Sequence, residues 1–530
     1  MALQGCKEQK WVGKRYKESL FVMTKRICFH GIIFVVFLRK ELYKYLNKGR
    51  WDMNAEHRYT KQQVIDLLET CLEKTLGEID KNNVFDRTKT NPKITGIAGD
   101  VIEQSVFGYP ANSDSAPDLI IDEIPTELKT TGIKLSTKDK GLYEAKEPMS
   151  ITGVSPNTII TEEFDDSRFW HKLEHLLFVY YLYSSNKPVL AAEYANFRFK
   201  GYQFVEFNEA DVEVLKKDWL TVRDFIISLN KNENLYPEIS HLRDKLLYID
   251  TAPKWPHPPR FRLKRSVVTN IVQQHFNGKL EQLPQTYSSY SEIDKKCHEL
   301  TAQYKGKTVL ELMATFGIDS KINKGISEQI IVKMFGGFSK KMNQIELFNK
   351  IGLYGKSIVL TTQGKRTEDM KLFRIDFDEI SSNISVFEDS SFYDFFAGMQ
   401  ILCIVFEEKD KDDFGSNVFM GFKRIAFSDE FIELNVKSVW RRINELVVYN
   451  ELKDVPVLNK KTGKPIVNKT GTIQSAPNFP KSSEGVIFVR GDSSDSTKKP
   501  ECVNGINMYR QYVWIKGSYL SEILSRVEYI

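Results

Sequence analysis

The residues best suited to chemistry in this chain are Asp118, directly after Pro117, and the pair Glu127 and Lys129. In a strand, residues two apart share a face, so Glu127 and Lys129 point together while Leu128 points into a core. Asp118, at the start of the preceding strand, converges on the same place. Two carboxylates at one spot repel each other and are hard to desolvate, so they favour a divalent cation, and hard oxygen ligands suit Mg2+. An adjacent lysine orients or deprotonates water and offsets the charge that grows on phosphorus in an in-line displacement. By pattern alone the signal is unspecific. Glu-x-Lys begins five times, at Glu8, Glu127, Glu144, Glu407 and Glu451, and a surface ion pair on an edge strand has the same spacing.

The elements that must hold these residues are legible around them. Val64, Leu67, Leu68, Cys71, Leu72 and Leu76 fall at helical spacing over residues 62–76. A second helix is expected over 100–107, started by Gly99-Asp100 and closed by Gly108. Leu119-Ile120-Ile121 and residues 126–130 read as strands. Residues 170–183 run from a helix into the apolar string 176–181, which suits a buried central strand.

The chain also echoes itself at a spacing of about 220 residues, as duplicated domains do. Residues 199–207 with Trp219 return as 419–427 with Trp440; 261–264 return as 513–516; and 96–108 return loosely as 325–336. These echoes divide the chain into an extension over 1–52, a first domain over 53–280, a linker over 281–305 and a second domain over 306–530. A further loop is expected over 455–484, which is rich in Lys, Pro, Asn and Ser.

At 530 residues the chain exceeds one ordinary core. With 41% hydrophobic and 27% charged residues it is neither disordered nor a polytopic membrane protein. Six scattered cysteines without a CxxC pair fit a reducing, bacterial cytoplasm. The net charge of +5 resides in residues 1–52, which hold twelve basic and four acidic groups, a balance of +8; the remaining 478 residues stand at −3. The apolar run Ile27 to Leu38 is too short for a bilayer span, and no small-residue cleavage site follows it. Codons for residues 48–51 can resemble a ribosome-binding site just upstream of Met53, so translation is expected to start either there or at Met1.

Two other patterns carry less. His171 and His175 stand at i and i+4 but lack the glutamate of HExxH, so core or hydrogen-bonded histidines are expected. Gly355-Lys356-Ser357 ends like a phosphate-binding loop, but Lys350 occupies the place of its first glycine.

Gly96 through Gly108, then Pro117-Asp118, then Ile124 through Thr130 resemble the MutH family, whose nucleases carry the PD-(D/E)xK arrangement. Ser167 through Leu173 and Phe261 through Lys264 resemble it too. The likeness is strongest to its GATC-specific type II restriction endonucleases, such as the staphylococcal enzyme, and with them spans nearly the whole chain after Met53. The resemblance implies an α/β fold of two tandem MutH-like units, each a mixed sheet flanked by helices, with the second degenerate. It implies Asp118 and Glu127 as metal ligands, Lys129 as the catalytic lysine, and Glu103 and Lys172 beside them. Without the family, Glu103 reads as a solvated helix charge and Lys172 as a lysine at a surface turn.

In the second unit, matching Phe335 to Phe107 puts Ile331 at the Glu103 position. Val359 and Thr361 then fall at the glutamate and lysine positions, and Phe396 near that of Lys172. A pocket without these groups holds no metal. Arg490 resembles an arginine that reads bases, and bidentate pairing to guanine would suit GATC. Lys254, Arg260, Arg262, Lys264 and Lys516 are further candidates for contact with DNA. The expected activity is Mg2+-dependent cleavage of double-stranded DNA at GATC, paired with a cognate DNA methyltransferase, with the second unit binding another GATC. The expected protein is a monomer that dimerises on DNA and has no membrane association. The alternatives are a strand-specific repair nickase and a non-cleaving DNA-binding protein.

Overall fold

The computed structural model describes residues 57–530 except 110–116, 137–140, 231, 253–256, 279, 324, 367, 460, 468–470, 472 and 494–497. The extension over 1–52, its apolar run and Met53 therefore lie outside the described residues. Among those described, no helix is long and apolar enough to cross a membrane.

The first half is built on a mixed sheet. Its strands are β1 (Arg58–Tyr59), β2 (Leu119–Ile121), β3 (Ile124–Leu135), β4 (Tyr143–Ala145), β6 (Leu176–Leu182) and β7 (Arg198–Val205). They run in the order β1-β2-β3-β6-β7, with β4 also on β3. β3 and β6 are parallel, and β7 returns antiparallel to β6. Helices cover both faces, so the strands are apolar in both directions and β6 reads as a continuous apolar run. Leu128, Leu177 and Val179 pack against the helix Lys61–Glu69 and the segment Ile97–Val106 on one face. Leu176, Phe178 and Tyr180 pack against the helices Glu209–Ser228 and Arg265–Phe276 on the other. A second sheet, β5 (Met149–Gly153), β8 (Ile249–Ala252) and β9 (Arg260–Leu263), has the order β5-β9-β8 and leads into the helix Arg265–Phe276.

The second half uses the same order and directions. β10 (Leu353–Leu360) lies parallel to β12 (Gln400–Glu407), which is antiparallel to β13 (Val418–Ile425). β11 (Met370–Arg374), β16 (Ile487–Asp492) and β19 (Arg510–Ile515) form a sheet ordered β11-β19-β16, followed by the helix Gly517–Arg526. Short hairpins pair β14 (Asp454–Pro456) with β15 (Ser475–Pro477) and β17 (Glu501–Val503) with β18 (Ile506–Met508). Local devices recur too. Ser167 and Ser390 each cap a helix while donating to the carbonyl three residues back, Phe164 and Phe387. Thr75 and Thr308 each open a capping box and bridge to β7 or β13.

Three sequence expectations change. The helix expected over 62–76 stops at Glu69, and Leu76 belongs to a separate short helix behind the Thr75 cap. The linker expected over 281–305 is mostly the helix Tyr290–Tyr304. Its Tyr290, Ile293, Cys297 and Leu300 are buried, and it packs on β13; the Ser and Tyr residues before it are its cap and first turn, not a tether. Finally, the halves share a core. Trp219 and Val268 belong to the same apolar cluster as Ile293, Phe348 and Phe406. Buried charge also crosses the boundary: Lys350 reaches Asp211 at 2.9 and 3.0 Å, and Glu346 at 2.8 Å. A cleft of about 380 Å3 between the halves is lined by Asp250, Arg262, Arg265 and Asp394, away from Glu127.

Candidate active site

The hairpin between β2 and β3 brings the two carboxylates together. Asp122 and Glu123 both take positive φ, +48° and +65°, which closes a two-residue turn whose twist suits the flanking strands. Neither is glycine, and each is held from outside: Asp122 accepts from the Lys61 amide, and Glu123 pairs with Arg58 at 2.9 Å. The turn fixes Leu119 opposite Thr126, so Asp118 comes level with Glu127. Asp118 Oδ2 accepts the Leu128 amide at 3.0 Å.

Glu127 is 1% exposed and lies between two ammonium groups. Lys129 Nζ donates to its Oε1 at 2.6 Å; Lys172 Nζ donates to Oε1 at 3.0 Å and Oε2 at 2.8 Å. Lys172 arrives from the other side of the parallel pair, at the end of the short helix Arg168–His171 that Ser167 caps, just before β6. The expectation of a surface lysine at 172 therefore fails in favour of a buried partner for Glu127.

Glu103 lies in a π-helical turn, Ile102–Val106, that continues the helix Ile97–Val101. Such turns rearrange which side chains face inward and recur at functional sites. Burial, then the charges of Asp118 and Asp100, push the Glu103 carboxyl up to about 7. Burial and Glu127 push Asp118 up to about 6, against the pull of Lys129 and Lys172. Burial alone would lower the Lys129 ammonium, but Glu127 and Asp118 outweigh it and hold it above its usual value. The five residues thus form one electrostatic cluster with more carboxylate than its two lysines neutralise.

Sequence reasoning missed Tyr109. Its phenol is buried beside Asp118, Glu103 and Glu127, and its hydroxyl has no hydrogen-bond partner among the described residues. Burial first, then those carboxylates, push its pKa far up, so it stays a neutral donor. The signal was Tyr109 following the Phe107-Gly108 helix stop, where nothing in the spacing marks a polar role.

Among the described residues, no group of three His, Cys, Asp or Glu side chains stands ready to hold a metal. The donor chemistry nevertheless suits a hard cation, because burial and neighbouring carboxylates raise both Asp118 and Glu103, and a cation would offset that penalty. Both oxygens of Glu127 are taken by lysine, so its entry into a coordination sphere requires a lysine to yield. His175 pairs with Glu206 at 3.2 Å, and residues 352–357 lead into strand β10 rather than a phosphate loop.

Residues 107–218 match the family model described as DNA mismatch repair enzyme MutH. This segment is MutH-like. The match contains Asp118, Glu127, Lys129 and Lys172; Glu103 and the second half lie outside it. Among curated proteins nothing matches the chain.

Strand register corrects the sequence alignment of the second half. β6 and β7 shift register just after Tyr180 faces Gly201, and β12 and β13 do so just after Val405 faces Gly421. Counting from that irregularity, Glu127 corresponds to Tyr354 and Lys129 to Lys356, not to Val359 and Thr361. Counting from the serine caps, Lys172 corresponds to Phe395 rather than Phe396. The rings of Tyr354 and Phe395 lie 5.9 Å apart, an aromatic pair where the first half has its buried ion pair. Ile331, at the place expected for Glu103, is fully buried.

The residues expected to contact DNA fare unequally. Lys264 is buried, its ammonium donates to the Leu246 carbonyl, and burial lowers its pKa to about 8. It caps the inside of the fold, and the expectation of a phosphate contact there is corrected. Arg262 is bound bidentately to Asp250 at 2.8 and 3.0 Å and faces the cleft between the halves. Arg260 is exposed, and Lys254 lies outside the described residues. Arg490 is 47% exposed, lies 3.7 Å over the Trp514 ring and pairs with Asp369 at 3.1 Å. By register its first-half counterpart is Ala252. Lys516 is half-buried at the start of the helix Gly517–Arg526.

Proposed function

We propose that the chain is a type II restriction endonuclease that hydrolyses phosphodiester bonds of double-stranded DNA at GATC. The observation that carries this reading is the buried Glu127 held by Lys129 and Lys172 beside Asp118 and Glu103. The MutH-family match over the same stretch supports it. Mg2+, held by Asp118 and Glu127, would supply Lewis-acid stabilisation of charge on the phosphate. Lys129 then orients the attacking water and balances the negative charge developing at phosphorus. Lys172 holds Glu127 in place when Lys129 moves toward substrate; Glu103 takes the proton lost by the attacking water, and the leaving 3′ oxygen takes one from solvent.

The matching strand order, caps and register support descent of both halves from one duplicated unit. With Tyr354 and Phe395 in place of Glu127 and Lys172, the second unit does not cleave; it binds another GATC through Arg490 and acts on the first as an effector. One active site per chain cuts one strand at a time, so a double-strand break requires two chains to meet on DNA or one to rebind. A restriction enzyme of this kind works beside a cognate methyltransferase.

The test is incubation with Mg2+ and unmethylated plasmid. A ladder of GATC fragments is expected and should vanish in Lys129→Ala. Nicked circles alone would instead indicate a strand-specific repair nickase, in line with a family model described as a DNA mismatch repair enzyme. Binding without cleavage would sink the nuclease reading.

A further inference from the structure

We propose that the lysine-rich arm between the helix Lys437–Val448 and β16 grips the sugar–phosphate backbone of double-stranded DNA. The inference rests on the nuclease reading and adds a contact surface to it. In the first half, the passage from the helix Glu209–Ser228 to β8 is a compact 3-10 segment, Glu233–Asp244, with Tyr236, Ile239 and Leu242 buried. In the second half the equivalent passage is longer and carries the hairpin β14–β15.

That passage, residues 449–486, contains six lysines and three acidic residues, Glu451, Asp454 and Glu484, in a chain that is −3 overall after residue 52. Asp454 is already occupied, by the Ser475 hydroxyl at 2.6 Å and the Lys499 ammonium at 3.8 Å. Lys453, Lys461 and Lys464 are exposed, and no carboxylate pairs with them among the described residues. Like charges of this density normally repel and fray. Lys453, Lys461 and Lys464 are carried on a hydrogen-bonded scaffold: Val457 donates to Gln474, Gln474 to Ile466 and Ile466 to Val457, each at 2.8 Å. Asn459 closes the tip by accepting from the amides of Lys461 and Thr462.

The apolar side chains of this arm are also turned outward. Leu458, Val467 and Ile473 are 55–58% exposed, so the ladder does not bury them in the body of the protein. Lysines that no carboxylate pairs with, beside exposed aliphatic groups, complement phosphates and the deoxyribose faces between them. Lysine contacts to phosphate position a protein on a duplex without reading its sequence. The arm therefore supplies affinity, and base reading falls to other residues.

The test uses the full chain in EDTA and a duplex of about 30 base pairs, with binding followed by fluorescence anisotropy across salt. The triple variant Lys453→Gln/Lys461→Gln/Lys464→Gln removes three releasable counterions. The slope of log affinity against log salt should become shallower by about 2.7, so the wild type's advantage shrinks about 40-fold between roughly 50 and 200 mM salt. If that variant melts lower than wild type, Lys461→Gln/Lys464→Gln at the exposed tip should still change the slope by about 1.8. An unchanged slope in a folded variant overturns the proposal. Wild-type cleavage with Mg2+, measured in parallel, separates the two readings. Cleavage with an unchanged slope removes the arm alone; a changed slope without cleavage keeps the arm and removes the nuclease.

Discussion

Replacing Lys172 with methionine isolates the interaction on which the site depends. The substitution keeps most of the side-chain volume and removes the ammonium that meets Glu127 at 2.8 and 3.0 Å. Glu127 is 1% exposed, so water cannot replace the lost partner. Breaking a buried pair from one side costs about 3–5 kcal/mol. Lys129 remains at 2.6 Å and is itself partly exposed, which argues for the lower end, about 3 kcal/mol. Because the halves share a core, the described residues melt as one cooperative unit, and at about 2.1 cal/mol/K per residue this lowers the melting temperature by about 3 °C. Calorimetry should show that loss. Glu127→Gln in the same background removes the stranded charge, so the double variant should be about 2 kcal/mol more stable than the sum of the single losses. Additive losses, or a Lys172→Met protein that melts like wild type, would refute the claim that Lys172 compensates Glu127.

The carboxylate cluster predicts a pH dependence that a cation reverses. Asp118 and Glu103 are raised to about 6 and about 7, so their protonated forms are favoured by the fold. Their contribution to stability is complete below the ordinary carboxylate range and is lost as pH rises through 6 to 7. Allowing for partial solvent screening, cation-free protein should lose about 1–3 kcal/mol between pH 5 and 8, and Mg2+ should raise the melting temperature more at pH 8 than at pH 5. A Glu103→Gln/Asp118→Asn protein that keeps the wild-type pH dependence would count against this. At the boundary between halves, Lys350→Met strands Asp211 and Glu346 and should cost about 3–5 kcal/mol in denaturant unfolding. An unchanged midpoint would show that the halves do not depend on that pair.

Much of the first half was legible without coordinates. Strand periodicity placed Glu127 and Lys129 on one face, and the apolar string at 176–181 became β6, because both signals are local and the sheet is covered on both sides. The short sequence echoes coincide with strands β7, β13, β9 and β19. The alignment between them failed because sequence matching followed a Leu-x-Thr echo, whereas hydrogen-bond register fixes residues by their partners across strands. Tyr354 and Phe395 look nothing like Glu127 and Lys172 until the sheet brings each pair together.

The sequence by itself determined which side chains are available: the carboxylates and lysines of residues 103–172, the loss of most of them in the second half, and the lysine surplus over 453–482. Tertiary structure decided what each one does. It buried Lys172 against Glu127, buried Lys264 against the Leu246 carbonyl, engaged Arg262 with Asp250, and turned an expected linker into a packed helix. The reason is that a charged residue's role depends on its desolvation and on the sign of its nearest neighbours, and both are set by contacts between segments far apart in the chain.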